Sequence, residues 1–463
     1  MKNNIISFDS IYTFIKYYLS KKEFSYLKSN LFEKILKPNE YDLKQKELND
    51  FIFYLNNKPE ISEKDFQKIK EFSISNGGFL NMKTRRKLFK RIFKSHFFDK
   101  NSYDTIWINK NNLNLNFKKE FLYQKTQKLI KNNKNLRVIS ADVERSNINK
   151  YFSRTDFENI DKLLKKDLNN FLEQITNFNN NEFFYYQGFH DIAIMFFYLY
   201  IDNYYYYTNF YQKFSECFLK ENLLKSKDSF HFTNYLKLIS YFIKILDDSA
   251  YEILSKYCEG EASFIISYII CLFTHDVKNI FLQMRIFDYF LFSHPISVII
   301  LACLICIDEI KKLNKNYNIQ IFQIKLKNLF RSEEDKETID ELNVSNFFEH
   351  FQRVELDKID FENYIKKTEE KVKNFDFEKF NLEFKNVLQN WFPLMNKEIY
   401  LWKMIQIEND FNKNKNNINL KSKFYLKNSY DTNFLFIILT FLILLISIII
   451  YYSNLFKQNL KLK

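Results

Sequence analysis

An aspartate and an arginine three positions apart form the first group of residues that could do chemistry. Residues 139–145 read ISADVER, so Asp142 and Arg145 would share one face of a helix or helical turn. The carboxylate could then steer the guanidinium, whose planar fork meets phosphate oxygens in pairs. By itself this spacing is more typical of a surface ion pair, so the pattern needs support from elsewhere in the chain.

A second group lies at 185–191, which reads YYQGFHD and leads into an apolar helix. Gly188 is one of only four glycines in the chain, which suggests that this position needs an unusual backbone angle or a close approach. Gln187 would then stand at the start of a helix and could present its amide to another molecule. His190 and Asp191 could line a groove beside Gln187 or simply fix the helix start. A glutamine and a glycine that merely begin a buried helix remain the alternative.

Two further segments contain glycines, arginines and an aspartate. The first has Gly77 and Gly78 with Arg85 downstream, and the second has Arg285 and Asp288. The simplest interpretation of the first is an ordinary turn, and that of the second is an ion pair along one helix.

Composition and periodicity predict the elements that must position these residues. Only four glycines and four prolines occur in 463 residues, whereas 46% of the chain is apolar, so an all-α fold is expected. Apolar residues at steps of three and four over 157–177, among them Leu164 and Leu168, are typical of an amphipathic helix. Helices are predicted at about 7–20, 43–56, 63–75, 83–94, 117–131, 157–177, 187–222, 230–256, 262–273, 278–292, 296–314, 376–390 and 396–411, with an extended loop at 109–116.

Charge and cysteines narrow the classes of function. The net charge of +13 is dispersed, which suits a solvated surface, an anionic membrane or an acidic partner, and no nucleic-acid motif accompanies it. The CxxC formed by Cys303 and Cys306 lies within an apolar run, which favours buried helix core over metal or redox chemistry. No metal site is expected.

The C-terminal region predicts a membrane anchor. Residues 434–452 are uncharged and apolar, and as a helix they would span roughly 28 Å, close to the hydrocarbon thickness of a bilayer. The preceding tract is polar and reads as a linker. A tail-anchored topology is expected, with the residues before the span in the cytosol.

The order and spacing of the motifs resemble the TBC domain of Rab GTPase-activating proteins. IxxDxxR is followed by YxQG, with 42 positions between Arg145 and Gln187. Segments 77–86 (GGFLNMKTRR), 185–191 and 285–295 (RIFDYFLFSHP) are similar to the subtype held in the endoplasmic reticulum by a C-terminal membrane helix. Phe89 and Phe287 stand where the family usually has other aromatic residues, tryptophan in the first case and tryptophan or tyrosine in the second.

The resemblance implies roles for individual residues. Arg145 would be an arginine finger and Gln187 a glutamine finger, both inserted into the nucleotide site of a GTPase. Asp142 would orient Arg145, while Tyr185 and Gly188 would support Gln187. The candidates for contacting the Rab or lining the groove are Arg85, His190, Asp191, Arg285 and Asp288.

The implied function is acceleration of GTP hydrolysis by a Rab GTPase of the early secretory pathway, as a GTPase activator with no substrate chemistry of its own. The partner would be the GTP-bound Rab, which itself binds the GTP and Mg²⁺, so no cofactor is expected in this chain. The implied location is the endoplasmic reticulum membrane, with a single span and a cytosolic catalytic domain. A catalytically silent TBC scaffold that binds Rab-GTP is the alternative, and a lipid-binding protein would rest on charge and the anchor alone.

The expected organisation is an N-terminal helical extension at 1–60, the TBC domain at 61–315, a C-terminal helical region at 316–411, a polar linker at 412–433, the membrane span at 434–452 and a short lumenal tail at 453–463.

Overall fold

A computed structural model describes residues 20–92, 135–146, 158–177, 185–200, 211, 214–219, 230–328, 343–384, 401–402 and 405–406. These ranges are helical and contain no strand, which confirms the all-α prediction for the described part of the chain. The chain divides into two compact units, Met1–Met404 and Ile405–Lys463, and all the elements below belong to the first. The predicted loop at 109–116 and the predicted linker, span and tail at 412–463 lie outside the described residues. Among the helices that are described, none has both the length and the apolarity to cross a bilayer.

The helices are numbered in chain order. Helices α1 to α4 are Asn30–Ile35, Pro38–Asn56, Glu63–Ile74 and Met82–Ile92, and α5 to α7 are Leu136–Arg145, Glu158–Asn177 and Phe189–Leu199. Helices α8 to α12 are Phe230–Leu246, Asp248–Cys258, Ile266–Ile270, Ile280–Phe292 and Ile296–Asn328. Helices α13 to α15 are Val344–Arg353, Phe361–Lys373 and Phe377–Phe384, and short π or 3-10 turns occur at Ser215–Leu219, Ser263–Ile265 and Leu356–Lys358.

Helix α11 lies at the centre of the fold, because every one of its residues is buried. It packs against α3 and α7, while the first half of α12 packs against α8, α9 and α14. Cys303 and Cys306 are fully buried in this half of α12, as the apolar run around them predicts. A helix buried on all sides needs a long and mostly apolar segment, which the sequence supplies at 280–292.

Polar caps fix where several helices begin. Ser62 and Asp65 form a reciprocal capping box at the start of α3, and the side chain of Asn279 accepts bonds from two backbone N–H groups of α11. The side chain of Asp247 accepts from the Ala250 N–H at 3.0 Å. This cap starts a new helix, so the single helix predicted at 230–256 is in fact α8 followed by α9.

The predicted helix at 262–273 is also shorter than expected. Helix α10 ends at Ile270, and Leu272 and Phe273 both have positive φ, in the left-handed region. Phe273 nevertheless buries its ring completely, so packing of this side chain compensates the unfavourable backbone angle. The apolar run is continuous here, and periodicity alone could not show that the helix stops.

Helices α13 and α14 were not predicted, and α12 extends to Asn328 instead of ending near 314. Helix α14 packs firmly against α12, and Ile365, Thr368 and Val372 are buried there. Its remaining face is rich in charged residues, which weakened its helical signal in the sequence. The fold therefore uses the region after 316 as part of its core.

Candidate functional site

Arg145 is the last residue of α5, and its side chain is 70% exposed. One guanidinium nitrogen donates to the buried carboxylate of Asp142, and Nε donates to the Ala141 carbonyl at 3.2 Å. An arginine has five N–H donors, so these two bonds fix its direction while others remain turned to solvent. In the structure, Asp142 is therefore bonded directly to Arg145.

The buried Asp142 also joins the first motif to the second. Its other oxygen, Oδ2, accepts the hydroxyl hydrogen of Tyr185 at 2.9 Å. At the opposite end of α5, the side-chain oxygen of Asn135 accepts from the Tyr185 backbone N–H at 3.3 Å. Helix α5 therefore holds residue 185 at both of its ends, and segments 43 positions apart meet at one carboxylate.

Gly188 sets the direction of the chain around Gln187. It caps α7 with φ of +99°, a left-handed angle that other residues adopt at a cost of about 1–3 kcal/mol. A Cβ atom at this position would lie 2.3 Å from the Cys271 sulfur. The Tyr186 hydroxyl donates to the Ile270 carbonyl at 3.1 Å, which fixes the other side of Gln187. Gln187 itself is exposed, so its amide is accessible from outside the protein.

His190 completes the hydrogen-bond chain beneath the two exposed residues. Its Nδ1 lies 2.9 Å from the Tyr185 hydroxyl oxygen. Because the hydroxyl gives its single hydrogen to Asp142, Nδ1 must be the donor, which assigns the tautomer. Burial lowers the pKa of His190 below its ordinary value, against the opposing charges of Asp191 and Asp142.

Tyr185 is held neutral by its surroundings. Burial, and then the neighbouring Asp142 carboxylate, raise the pKa of Tyr185 well above its ordinary value. With His190 and Tyr185 both neutral, the Asp142 carboxylate is the charge that directly faces the Arg145 guanidinium. The network thus stabilises an outward-pointing cation.

Asp191 pairs with a histidine that carried no assigned role in the sequence. His275 Nδ1 lies 2.9 Å from Asp191 Oδ2, and its side chain is 61% exposed. His190 Nε2 lies on the other side of the same carboxylate, 3.5 Å from Oδ1. Asp191 and His275 are 84 positions apart in sequence, so no local pattern could have paired them.

Arg85 and Asp288 are buried together, away from the surface. Arg85 Nε lies 2.8 Å from Asp288 Oδ1, and Arg85 Nη2 lies 2.7 Å from Oδ2. The interpretation of these residues as groove or Rab contacts therefore lacks support, because a partner could not reach them in this fold. The pair connects α4 to α11.

Arg285 is buried as well, but it pairs with Glu362 of α14 and not with Asp288. Its Nε and Nη2 each lie 2.7 Å from a Glu362 oxygen, and Nη1 donates to the Ser73 carbonyl at 2.9 Å. Burial opposes ionisation of Glu362, yet the charge and hydrogen bonds of Arg285 lower its pKa overall. The predicted ion pair along α11 is wrong, and this arginine also holds a structural position.

The turn at Gly77 and Gly78 brings backbone N–H groups to the carboxylates of both buried ion pairs. The Gly77 N–H donates to Glu362 at 3.1 Å, and the Phe79 N–H donates to Asp288 at 2.9 Å. A Cβ on Gly78 would lie 2.4 Å from the Asp288 carboxylate. The turn must therefore be glycine to approach the carboxylates so closely.

Of the ten predicted site residues, the structure brings Asp142, Arg145, Tyr185, His190 and Asp191 into one connected network, with Gln187 and Gly188 on the same segment. It places Arg85, Arg285 and Asp288 in a separate, buried cluster. Within the described ranges, no three His, Cys, Asp or Glu residues are grouped so that they could bind a metal ion.

Comparison with known proteins gives two matches. Residues 82–314 match the sequence model of the Rab-GTPase-TBC domain. A segment of 74 residues is 36% identical to the GTPase-activating protein gyp10 of Schizosaccharomyces pombe. That segment covers 16% of this chain and only 20% of the length of gyp10. Both the paired motifs and α11 lie within the range that the domain model matches.

Proposed function

Because this chain belongs to the Rab-GTPase-TBC domain family, we propose that it accelerates GTP hydrolysis by a Rab GTPase, with Arg145 and Gln187 as the residues it inserts into the nucleotide site. The observation that carries the proposal is the position of Arg145. Its guanidinium is exposed, while the carboxylate that orients it is buried and bound to the tyrosine two residues before Gln187.

The chemistry of GTP hydrolysis explains the need for such an arginine. Negative charge spreads over the oxygens of the transferring phosphoryl group, and a guanidinium held at a fixed angle stabilises that charge without reorganising. The Asp142–Tyr185–His190 chain fixes this angle before the partner arrives. A lysine at the same position would lack the planar fork.

Gln187 supplies the second need of the reaction, an oriented water molecule. Its exposed amide has both a donor and an acceptor, so it can hold a water in line with the phosphorus. Gly188 and Tyr186 hold the backbone on both sides of this residue. The GTP and Mg²⁺ are bound by the GTPase, and this chain contributes side chains alone.

The proposal extends to the setting in which the reaction occurs. The apolar segment at 434–452 anchors the protein in a membrane, with the helical domain on the cytosolic side. The endoplasmic reticulum and a Rab of the early secretory pathway are the location and the partner that the sequence resemblance favours.

Single-turnover GTP hydrolysis tests the proposal. A panel of GTP-loaded Rab proteins is mixed with the wild type, Arg145→Ala, Gln187→Ala and Arg353→Ala. Arg353 is the matched control, because it is 76% exposed and also pairs with a carboxylate on its own helix. We expect at least one Rab to be accelerated by the wild type and by Arg353→Ala, and by neither of the other variants.

The same assay separates the activator from a silent scaffold. A scaffold would bind Rab-GTP with equal affinity in all four proteins and leave the hydrolysis rate unchanged in each. Equal acceleration by the wild type and Arg145→Ala would also overturn the finger assignment.

A further inference from the structure

The second half of α12 lies at the surface of the fold. The helix has 33 residues, and over 296–325, where its side chains are described, all the buried ones precede Lys311. Over 311–325 each residue is exposed or only half-buried. Leu313 and Tyr317 pack against the core on the inner side, so the opposite side of this half-helix faces solvent.

Large apolar side chains lie on that solvent side. Phe322 is 65% exposed and Ile319 is 45% exposed, whereas residues of this type at such regular spacing normally face a core. Ile253 of α9 lies beside them and lines the same shallow depression. Because Ile319 and Phe322 are exposed, packing within the described part of the domain does not explain why they are apolar.

Lysines flank the apolar residues on the same face. Lys311, Lys315, Ile319, Phe322 and Lys325 follow one another at steps of four, four, three and three, so they fall within an arc of about 120°. Lys311 forms an ion pair with Asp247, and Lys315 and Lys325 are exposed. We call this face the lysine–phenylalanine stripe.

Within the helix itself, the charged residues along the stripe have a single sign. From 310 to 328 the helix contains five lysines and no aspartate or glutamate. A basic helix that also exposes apolar side chains is typical of segments that lie on anionic membranes. The apolar side chains enter the boundary between headgroups and acyl chains, and the lysines remain beside the phosphates.

We infer that the lysine–phenylalanine stripe docks on the surface of a membrane that contains anionic phospholipids. The inference does not depend on the proposed GTPase activation, because no residue of the stripe belongs to the Arg145 network. The net charge of the whole chain, +13, would also attract it to an anionic surface.

A tryptophan reporter tests the docking in the full chain. Phe322→Trp places an indole in the stripe, and Phe53→Trp is the matched control, because Phe53 is 71% exposed on α2, outside the stripe. Each protein is mixed with vesicles of phosphatidylcholine and phosphatidylserine whose acyl chains carry bromine. The signal of the three native tryptophans, measured in the parent protein, is subtracted.

We expect brominated vesicles to quench the indole at 322 at least twofold and to leave the indole at 53 unquenched. Vesicles of phosphatidylcholine alone should quench neither. Each neutralised lysine near an anionic surface weakens attraction about fivefold, so Lys315→Gln with Lys325→Gln should reduce the docked-to-free ratio roughly thirtyfold.

Three outcomes would overturn the inference. Equal quenching at 322 and 53 would show that vesicle contact is not specific to the stripe. Quenching at 322 that persists in neutral vesicles or in the double lysine variant would remove the role of charge. Shielding of the indole by a GTP-loaded Rab or by a second copy of the chain, and not by lipid, would assign the stripe to a protein partner. Circular dichroism of each variant checks that the helices are retained.

Discussion

Arginine pairs with a carboxylate in two regions of this protein, and the regions differ in where the guanidinium faces. In the Arg145 network, the Arg145 side chain is 70% exposed and its partner Asp142 is 3% exposed. In the buried cluster, Arg85 and Arg285 are 3% and 4% exposed and meet Asp288 and Glu362. The contact is chemically the same, but only Arg145 has donors left for another molecule.

The difference shows how one kind of ion pair serves two purposes. Both guanidinium groups of the buried cluster donate hydrogen bonds to carboxylates and backbone carbonyls. These bonds connect α3, α4, α11 and α14. In the Arg145 network the buried partner is the acid, which is itself bound by Tyr185, so the arginine is oriented without being covered. Exposure of the cation relative to its partner, and not the pairing, distinguishes an arginine that can reach another molecule from one that holds the fold together.

The largest expected effect comes from replacing the exposed arginine while keeping its charge. In Arg145→Lys the planar fork is lost, and an arginine finger supplied in trans to a GTPase is worth ~10³ to 10⁵ in rate. We expect most of the acceleration to disappear, with the melting temperature unchanged, because the side chain is exposed. Single-turnover hydrolysis and calorimetry measure the two quantities. Full activity in this variant would show that any cation suffices at 145.

Breaking the buried cluster should lower the stability of the fold, whereas Arg145→Lys should lower the hydrolysis rate. Arg285→Met leaves Glu362 buried without its partner, which typically destabilises a protein by about 3–5 kcal/mol. We expect the free energy of unfolding, measured by denaturant titration, to fall by this amount. The double variant Arg285→Met with Glu362→Gln should recover part of the loss, because no charge is left unpaired. A loss below about 1 kcal/mol in the single variant would contradict the structural assignment.

The sequence could predict one of these regions but not the other, for a physical reason. Asp142 and Arg145 are three positions apart on one helix, so local geometry predicts their contact. Arg85 and Asp288 are 203 positions apart, and Arg285 and Glu362 are 77 apart, so only the tertiary fold brings them together. Local spacing instead suggested that Arg285 pairs with Asp288, which is wrong.

Helices were predictable where apolar residues recur at steps of three and four or where a polar residue caps the helix start. Helices α3 and α6 have nearly the predicted bounds, because Ser62 caps the first and the apolar period of the second is regular. The end of α10 at Ile270 was not predictable, since Phe273 adopts a left-handed angle only because the core accommodates its ring. The contacts of Glu362 and His275 could not be predicted, because their partners are distant in sequence.

An intermediate effect is expected at Gly188, which controls the direction of Gln187. In Gly188→Ala the left-handed backbone costs about 1–3 kcal/mol, and the added Cβ lies 2.3 Å from the Cys271 sulfur. We expect both the unfolding free energy and the hydrolysis rate to decrease. Combining it with Cys271→Ala removes the sulfur and should restore part of the stability. If the double variant is no more stable than the single one, the close approach to Cys271 is not what requires glycine.

The smallest expected effect is a pH dependence of stability that originates at His190, which lies beneath Arg145. The pKa of His190 is lowered in the folded protein by burial, which outweighs the neighbouring charges of Asp191 and Asp142. As pH falls through about 6.5, the unfolded chain therefore takes up a proton that folded His190 does not, and stability decreases by up to about 1.4 kcal/mol per pH unit. The decrease ends once the pH falls below the folded pKa. Tyr185, Arg145 and His275 face the same network, so their contributions must be held constant in the comparison.

His190→Asn achieves this, because its amide can still donate to the Tyr185 oxygen but does not titrate. Unfolding free energies of both proteins are measured between pH 7.5 and 5.5. We expect the wild type to lose more stability than the variant over this range. The double variant Arg285→Met with Glu362→Gln leaves no unpaired carboxylate, so it should change the level of stability with little effect on its slope. A steeper slope in the asparagine variant would mean that His190 is protonated in the fold, and Tyr185 would then have to accept from a charged ring while Asp142 balanced two cations.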